Sequence, residues 1–411
     1  MVGLVGLLAS SCVIDEPEQS SEATSALDVT PTPTPTVEET IKGIVDRAVG
    51  PRTDTAGNRR FVGMSVIVIK DGIRHRYHYG EAVLGSGIAP DGNTLYAIGS
   101  VTKTFTATLL ALYDHRNIVK LGTKLADVTS YTLAPGRDQI TLEQLATHHS
   151  GLQEDPPGGE YAYRTGTYGG DMSKLMGTLG TCTDNPCNDP IPAGFPALYS
   201  NYGYAVLAHV LSRKYSSTAS VQQALTAEVM GPLGLSDTSN KAHLTESACV
   251  VGTCTYGDYG ECTYAAACNK TFSARAAIGY QKDQTMRDPD EGSDDNVKAG
   301  SGVVWSTPYD MTDWLAYNMG LGGSAVPQEL QDILPVIQTV RIDGSALAWE
   351  QKSTPAGHTV LAKAGVLPSF KAHVAFTADR KIGVMVMKNS ENAEDRKVGD
   401  IAYDIIDDLS P

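Results

Sequence analysis

Ser100-Val101-Thr102-Lys103 places a hydroxyl and an amine three residues apart, on one face of whatever helix carries them. Thr104 to Tyr113, a run rich in Thr, Phe, Ala and Leu, reads as that helix in a buried setting, with Gly99 as the break where the chain turns in. Ser100 then stands at a helix N-terminus. There the unpaired backbone N–H groups and the positive end of the dipole favour a developing alkoxide and disfavour a protonated lysine. The pattern is a nucleophile beside a base, but Ser and Lys are common, so the four residues need support from the rest of the chain.

Upstream, Phe61 to Ile69 reads as a strand, Lys70-Asp71-Gly72 as a hairpin turn and Ile73 to Gly80 as the returning strand. An amphipathic helix carrying Ile41, Ile44, Val45 and Ala48 precedes them. The far end mirrors this: His358 to Ala364, Lys371 to Thr377 and Ile382 to Lys388 read as strands, followed by a helix from Asp395 to Leu409. The expected fold is therefore α/β of the α+β type. One antiparallel sheet is flanked by N- and C-terminal helices, with a mainly helical region inserted. The α/β part covers about 37–99 and 297–411, and the helical part about 100–296, within one folded region from 37 to 411. Residues 155–196 and 243–295, rich in Gly, Asp, Tyr and Cys, read as long surface excursions. The acidic run from Asp288 to Asp295 lacks the spacing of an EF-hand loop and reads as solvated loop.

The formal charge of −15, from 32 basic and 47 acidic residues, repels phosphate backbones and leaves no basic stripe, so nucleic acid is not an expected partner. Residues 1–12 read as a partial signal ending in a lipoprotein-type box, Leu8-Ala9-Ser10-Ser11-Cys12, with a lipid on Cys12 as the expected membrane contact. Residues 13–36 form a Ser/Thr/Pro-rich tether that ends in three Thr-Pro repeats and favours an extended conformation. The other six of the seven cysteines fall as close pairs, Cys182 with Cys187, Cys249 with Cys254 and Cys262 with Cys268. Such spacings suit local disulfides in an oxidising compartment, periplasmic or extracellular, and their connectivity stays open. They do not suit zinc. No metal or cofactor is expected, and the protein is expected to act as a monomer.

Two more pieces carry chemistry. Tyr199-Ser200-Asn201, the only Y-x-N in the chain, precedes an apolar helix with Tyr204, Leu207, Ala208 and Leu211 on one face. Lys363-Ala364-Gly365 ends the first C-terminal strand, where a lysine can project over a ligand and the following backbone N–H groups can face a substrate carbonyl. In this order the three pieces resemble the motifs of the serine β-lactamase and penicillin-binding family, specifically the class C β-lactamases and the related D,D-carboxypeptidases and esterases. Thr141 to Leu152, Gly231 to Leu235 and Gly300 to Met311 are similar to the family's connecting segments. A second Lys-Ala-Gly at Lys298-Ala299-Gly300 competes for the third motif. Lys363 is chosen because two further strands and a helix follow it, as the family topology implies.

The resemblance implies acyl transfer on Ser100, with an acyl-enzyme released by water. Lys103 would deprotonate Ser100, and Tyr199 would relay the proton to the leaving group and activate the deacylating water. Asn201 would hold the acyl side chain and Lys103, and Lys363 would add positive field. The N–H groups of Ser100 and Val366 would form the oxyanion hole, beside Ala364 and Gly365, and Gln153 would line the acyl pocket. Expected substrates are β-lactams or D-Ala-D-Ala peptides derived from peptidoglycan. Alternatives are a carboxylesterase on the same scaffold or a slow-acylating penicillin-binding sensor. Ala364 departs from the family, which usually carries Thr or Ser there to bind a substrate carboxylate. A hydrogen bond to a charged group is worth about 1.5 to 3 kcal/mol, so carboxylate-independent esters or amides gain ground. His148 and His149 lie inside a family segment and read as structural, and no G-x-S-x-G elbow surrounds any serine.

Overall fold

A computed structural model describes residues 35–53, 57, 59–158, 171–180, 197–239, 275–281, 297–391 and 397–411, with the backbone of four short strands between 244 and 272. The chain divides into Met1–Thr36 and Val37–Pro411. The signal, lipid and tether readings, the six cysteine side chains and the acidic run from Asp288 to Asp295 lie outside the described residues.

The second unit is built on a six-stranded antiparallel sheet. Its strands are β1 (Gly63–Lys70), β2 (Ile73–Gly80), β3 (Glu350–Ser353), β4 (Thr359–Val366), β5 (Lys371–Thr377) and β6 (Ile382–Lys388), in the order β2-β1-β6-β5-β4-β3. β1 pairs with β6 from Met64↔Lys388 to Lys70↔Ile382, so the two ends of the chain close one sheet. Lys70 pairs with Ile73 across Asp71 and Gly72, both at positive φ (49° and 85°), the two-residue turn whose twist matches that of the strands it joins.

Seven of the eight residues of β1 are buried because both faces of the sheet are covered. On one face, Val66, Val68, Val384 and Val386 pack against Ile41, Ile44 and Val45 of α1 (Val37–Val49) and Ile401, Ile405 and Ile406 of the C-terminal helix (Val398–Leu409). On the other, Ile67, Met385, Met387 and Phe376 join the core of the helical region. That core centres on α2 (Thr102–His115), whose residues from Thr102 to Tyr113 are all buried. Phe105 of α2 stacks on Trp314 with ring centroids 3.9 Å apart. Three of the four threonines of α2 donate their hydroxyls to carbonyls, Thr104 to Val101, Thr106 to Gly300 and Thr108 to Thr104, so burying these three leaves no orphaned donor; Thr102 accepts the N–H of Val304.

Among the differences from the sequence reading, two are element ends and one is a strand it did not contain. β4 runs on to Val366, past the expected stop at Ala364. The C-terminal helix begins at Val398. Glu350–Ser353 forms the edge strand β3 with three of its four residues exposed, so it shows none of the apolar alternation that marks a half-buried strand.

Candidate active site

The turn Gly99–Val101 is a single 3-10 turn that leads into α2. It presents Ser100, half-buried, while Lys103 one turn on has no exposed surface. Gly99 takes a positive φ of 53°, and a Cβ on it would stand 2.9 Å from the backbone nitrogen of Val366. A Cβ on Gly365 would stand 2.0 Å from the carbonyl oxygen of Ile98 and 3.3 Å from the nitrogen of Ser100. Two glycines thus let the serine turn and strand β4 approach more closely than any other residues allow, bringing the backbone of Ser100 and Val366 side by side. Ala364 is exposed and pairs across the ladder with His373 of β5.

The third element is the helix Asn201–Tyr215. Ser200 caps it by accepting the N–H of Gly203 at 2.8 Å. The cap fixes the residues on either side of it. Tyr199 donates its hydroxyl to Ser100 Oγ at 2.5 Å, and Asn201 Oδ1 accepts from Lys103 Nζ at 2.7 Å. Asn201 Nδ2 points the other way, 3.4 Å from Asp155 Oδ1.

Lys103 Nζ touches three oxygens: Asn201 Oδ1, the Ser301 carbonyl at 2.5 Å and Ser100 Oγ at 3.0 Å. The first two can only accept. A neutral amine has two N–H bonds and one lone pair, so donating to the amide and the carbonyl leaves the lone pair for the Ser100 hydroxyl. In the structure Ser100 Oγ accepts from both Lys103 Nζ and Tyr199; once the amine is neutral, the Ser100 hydroxyl can donate to it, which gives a directed chain from Tyr199 through Ser100 to Lys103.

The electrostatics agree. Burial, then repulsion from Lys363 and Lys298, hold Lys103 well below the ordinary lysine range, against smaller opposing effects of Asp155 and Glu154. A lysine needs a shift of about three units, or ~4 kcal/mol, to be half neutral at pH 7. A helix terminus supplies at most ~2 kcal/mol, so burial and like charges are required. Tyr199 moves the opposite way: burial raises it above its ordinary value despite the Ser100 hydrogen bond, so the phenol keeps its proton.

Lys363 is buried, with Nζ 5.0 Å from the centre of the Tyr199 ring and 3.2 Å from Glu350 Oε1. Burial pushes Glu350 up, but Lys363 and Lys352 outweigh it and keep the carboxylate below its ordinary range. His148, at a φ of 64°, holds Tyr199 from behind with ring centroids 4.4 Å apart. Its Nδ1 accepts the N–H of Ser200 at 3.0 Å, and its carbonyl accepts that of Leu198 at 2.9 Å. Burial, then Lys363 and Lys103, push its imidazole well below the ordinary histidine range.

A cleft of about 370 Å³ opens in front of Ser100 and Asn201. The loop after Leu152 contributes Glu154 and Asp155 to its wall. Gln153, the residue expected there, is exposed and offers its carbonyl to Ser200 Oγ at 2.6 Å, so its part is to steady the cap. The sequence reading also missed the Ser301 carbonyl, Glu350 and the bracket formed by His148. The competing Lys298 comes into the same cleft rather than onto the strand.

Fold and site define a serine hydrolase of the Ser-x-x-Lys kind. The chain belongs to the Beta-lactamase family, whose sequence profile matches residues 37–407. It is 25% identical over 370 residues to the D-alanyl-D-alanine-carboxypeptidase/endopeptidase AmpH of Escherichia coli strain K12, covering 85% of each chain. It is also 25% identical over 368 residues to a β-lactamase of Lysobacter lactamgenus, covering 84% of this chain and 86% of that one. Among solved structures, a class C β-lactamase superposes with a TM-score of 0.71 at 21% identity, over 91% of this chain and 98% of the other. A β-lactamase/D-alanine carboxypeptidase from Pseudomonas syringae superposes with a TM-score of 0.69 at 21% identity, over 90% and 99%.

Proposed function

We propose that the protein is an exported hydrolase that forms an acyl-enzyme on Ser100 and hydrolyses β-lactams or peptides ending in D-amino acids. The observation that carries this reading is the fully buried Lys103 with Nζ 3.0 Å from Ser100 Oγ, its other two contacts being acceptors that the two N–H bonds of a neutral amine can satisfy. As the Oγ–C bond forms, the hydroxyl proton passes to Lys103. As the C–N bond of the substrate breaks, the leaving nitrogen takes the proton of Tyr199, and the proton held by Lys103 restores the phenol. Water then attacks the ester, Ser100 recovers its proton and the acid departs. The backbone N–H groups of Ser100 and Val366 serve the oxyanion, Asn201 orients the acyl group, and Lys363 adds positive field beside Tyr199.

The substrate range draws support from the relatives, which are named as a D-alanyl-D-alanine carboxypeptidase/endopeptidase and as β-lactamases. Two observations favour a carboxylesterase as the second reading: Ala364 offers no hydroxyl to a carboxylate, and Lys363 is already engaged with Glu350. Export draws support from the three close cysteine pairs; thiol titration of the denatured protein before and after reduction tests it.

The function is tested by offering purified protein a chromogenic cephalosporin, p-nitrophenyl acetate, a D-Ala-D-Ala peptide and a fluorescent penicillin, with Ser100→Ala as control. Turnover of the first or third that disappears in the control supports the main reading. Ester turnover alone moves the assignment to the esterase, and stable penicillin labelling without turnover moves it to a sensor. A control as active as the parent rejects the mechanism.

A further inference from the structure

The connection 339–349 runs from the helix Leu334–Gln338 to the edge strand β3. Within it Asp343 and Ala348 take positive φ angles of 56° and 66°, a conformation that residues other than glycine keep only where their surroundings hold them. Contacts from the segment 143–149 do the holding. Arg341 Nε donates to Glu143 Oε1, the Ala348 N–H donates to the Ala146 carbonyl at 3.1 Å, and Asp343 Oδ2 lies 3.4 Å from His149 Nε2. Both sides of this arrangement reach the site. His148, the neighbour of His149, brackets Tyr199, and Glu350, two residues after Ala348, pairs with Lys363.

The partners of the His149 ring fix its proton count. Thr147 donates its hydroxyl to the Glu143 carbonyl at 2.8 Å, so towards His149 Nδ1, 3.1 Å away, its oxygen is left to accept. The Asp343 carboxylate also only accepts. Both ring nitrogens are therefore asked to donate, and only the imidazolium carries two N–H groups. The side chain is 5% exposed, which leaves water little room to replace either partner. The charged groups packed around the ring are Asp343 and Arg341 on the connection and Glu143 on the helix Leu142–Ala146, with Arg341 and Glu143 paired to each other. On the site's side stands His148, whose imidazole also feels the charges of Lys363 and Lys103. Asp343 is thus the counter-ion of His149.

We infer that His149 and Asp343 are positioning residues, an ion pair that locks the connection 339–349 onto the segment carrying His148 and so sets Tyr199 and Lys363 for the reaction while His149 is protonated. The inference rests on the reading of Tyr199 as the group that serves the leaving atom, and adds a control of that step from outside the cleft. A neutral ring has one lone pair, which faces either the Asp343 carboxylate or the Thr147 oxygen. Either way one attraction becomes a repulsion. The lock is therefore closed at lower pH and opens as pH rises, and histidine is the side chain whose charge ordinarily changes near neutrality.

The test is the pH profile of kcat for p-nitrophenyl acetate in the parent and in Asp343→Asn. The titration of His149 is followed separately by the 15N shifts of the histidine rings in Ser100→Ala, with His149→Gln to assign them. The parent's kcat is expected to fall by about 10-fold, the scale of one charge-assisted hydrogen bond, as His149 loses its proton, with KM little changed. An asparagine can donate its amide N–H to a neutral Nε2, so Asp343→Asn is expected to hold its kcat through the same range. A merely structural contact would lower kcat at every pH and leave the fall in place. A parent without the fall, a fall that persists in Asp343→Asn, or a ring neutral wherever the enzyme works overturns the inference and leaves the hydrolase standing. If Asp343→Asn does not fold, the parent decides: coinciding midpoints of the kcat fall and the ring titration support the lock, and separate ones overturn it. An absence of Ser100-dependent turnover at every pH overturns both readings.

Discussion

Glu350 Oε1 lies 3.2 Å from Lys363 Nζ, so the third motif's cation reaches the site already paired with a carboxylate from the edge strand. In a site that binds a substrate carboxylate, that oxygen competes with the ligand. Glu350→Gln is expected to raise kcat/KM for carboxylate-bearing substrates relative to neutral esters by about 10-fold, the low end for one charge-assisted bond. Measuring both substrates on parent and variant checks this, and an unchanged ratio rejects the competition.

Ala364 is exposed, so a hydroxyl introduced there meets no buried neighbour. Ala364→Thr is expected to improve carboxylate-bearing substrates by between about 10- and 150-fold over neutral ones. If steady-state kinetics show no selective gain, the missing hydroxyl is not what limits recognition.

Activity on a neutral ester is expected to rise with pH through the depressed pKa of Lys103, since only the neutral amine can take the serine proton. Lys363 and Lys298 lower that pKa by repulsion, while Asp155 and Glu154 oppose them. Lys363→Met removes a like charge, so the pKa of Lys103 rises and the acid limb of kcat/KM moves to higher pH. A shift to lower pH would contradict the assignment of Lys103 as base.

His148 brackets Tyr199 through Leu198, Ser200 and the ring itself. His148→Phe keeps an aromatic ring but leaves the buried Ser200 N–H without its acceptor, at a cost of about 1 to 3 kcal/mol. The expected result is a lower Tm and a fall in kcat larger than any change in KM, because the phenol is misplaced while the cleft is left alone. A parent-like kcat would show that the bracket does not position Tyr199.

Gly365→Ala is expected to reduce kcat by about 100-fold, comparable to losing an oxyanion donor, because the new Cβ drives β4 away from Ile98 and Ser100. Steady-state rates with circular dichroism check it: a folded variant with full activity would mean that the close approach is dispensable.

Ser100, Lys103, Tyr199, Asn201 and Lys363 are legible in the sequence because their chemistry resides in side chains within short motifs. The hairpin at Asp71-Gly72 is legible because only particular residues accept two successive positive φ angles. The Ser301 carbonyl is not, since a backbone acceptor has no side chain to announce it. Glu350 hides in an edge strand too polar to read as one. His148 stands in a recognisable segment, but its tilted ring contact with Tyr199 joins residues about fifty positions apart. Lys298 is visible as a second Lys-Ala-Gly, and only the folding of its loop onto α2 shows where it lies.

The pairing of β1 with β6 joins residues more than 300 positions apart, which sets the order of events as the chain emerges from the ribosome. The first hairpin is complete early but waits with one bare edge until the last strands are translated, an arrangement of high contact order that folds slowly. Through that interval the apolar stretch Val66-Ile67-Val68-Ile69 is open to pairing with other chains. A chain cut short before Ile382 keeps Ser100, Lys103, Tyr199 and Lys363 yet lacks the strand that joins the two halves of the sheet, so aggregation rather than partial activity is the fate of such a fragment.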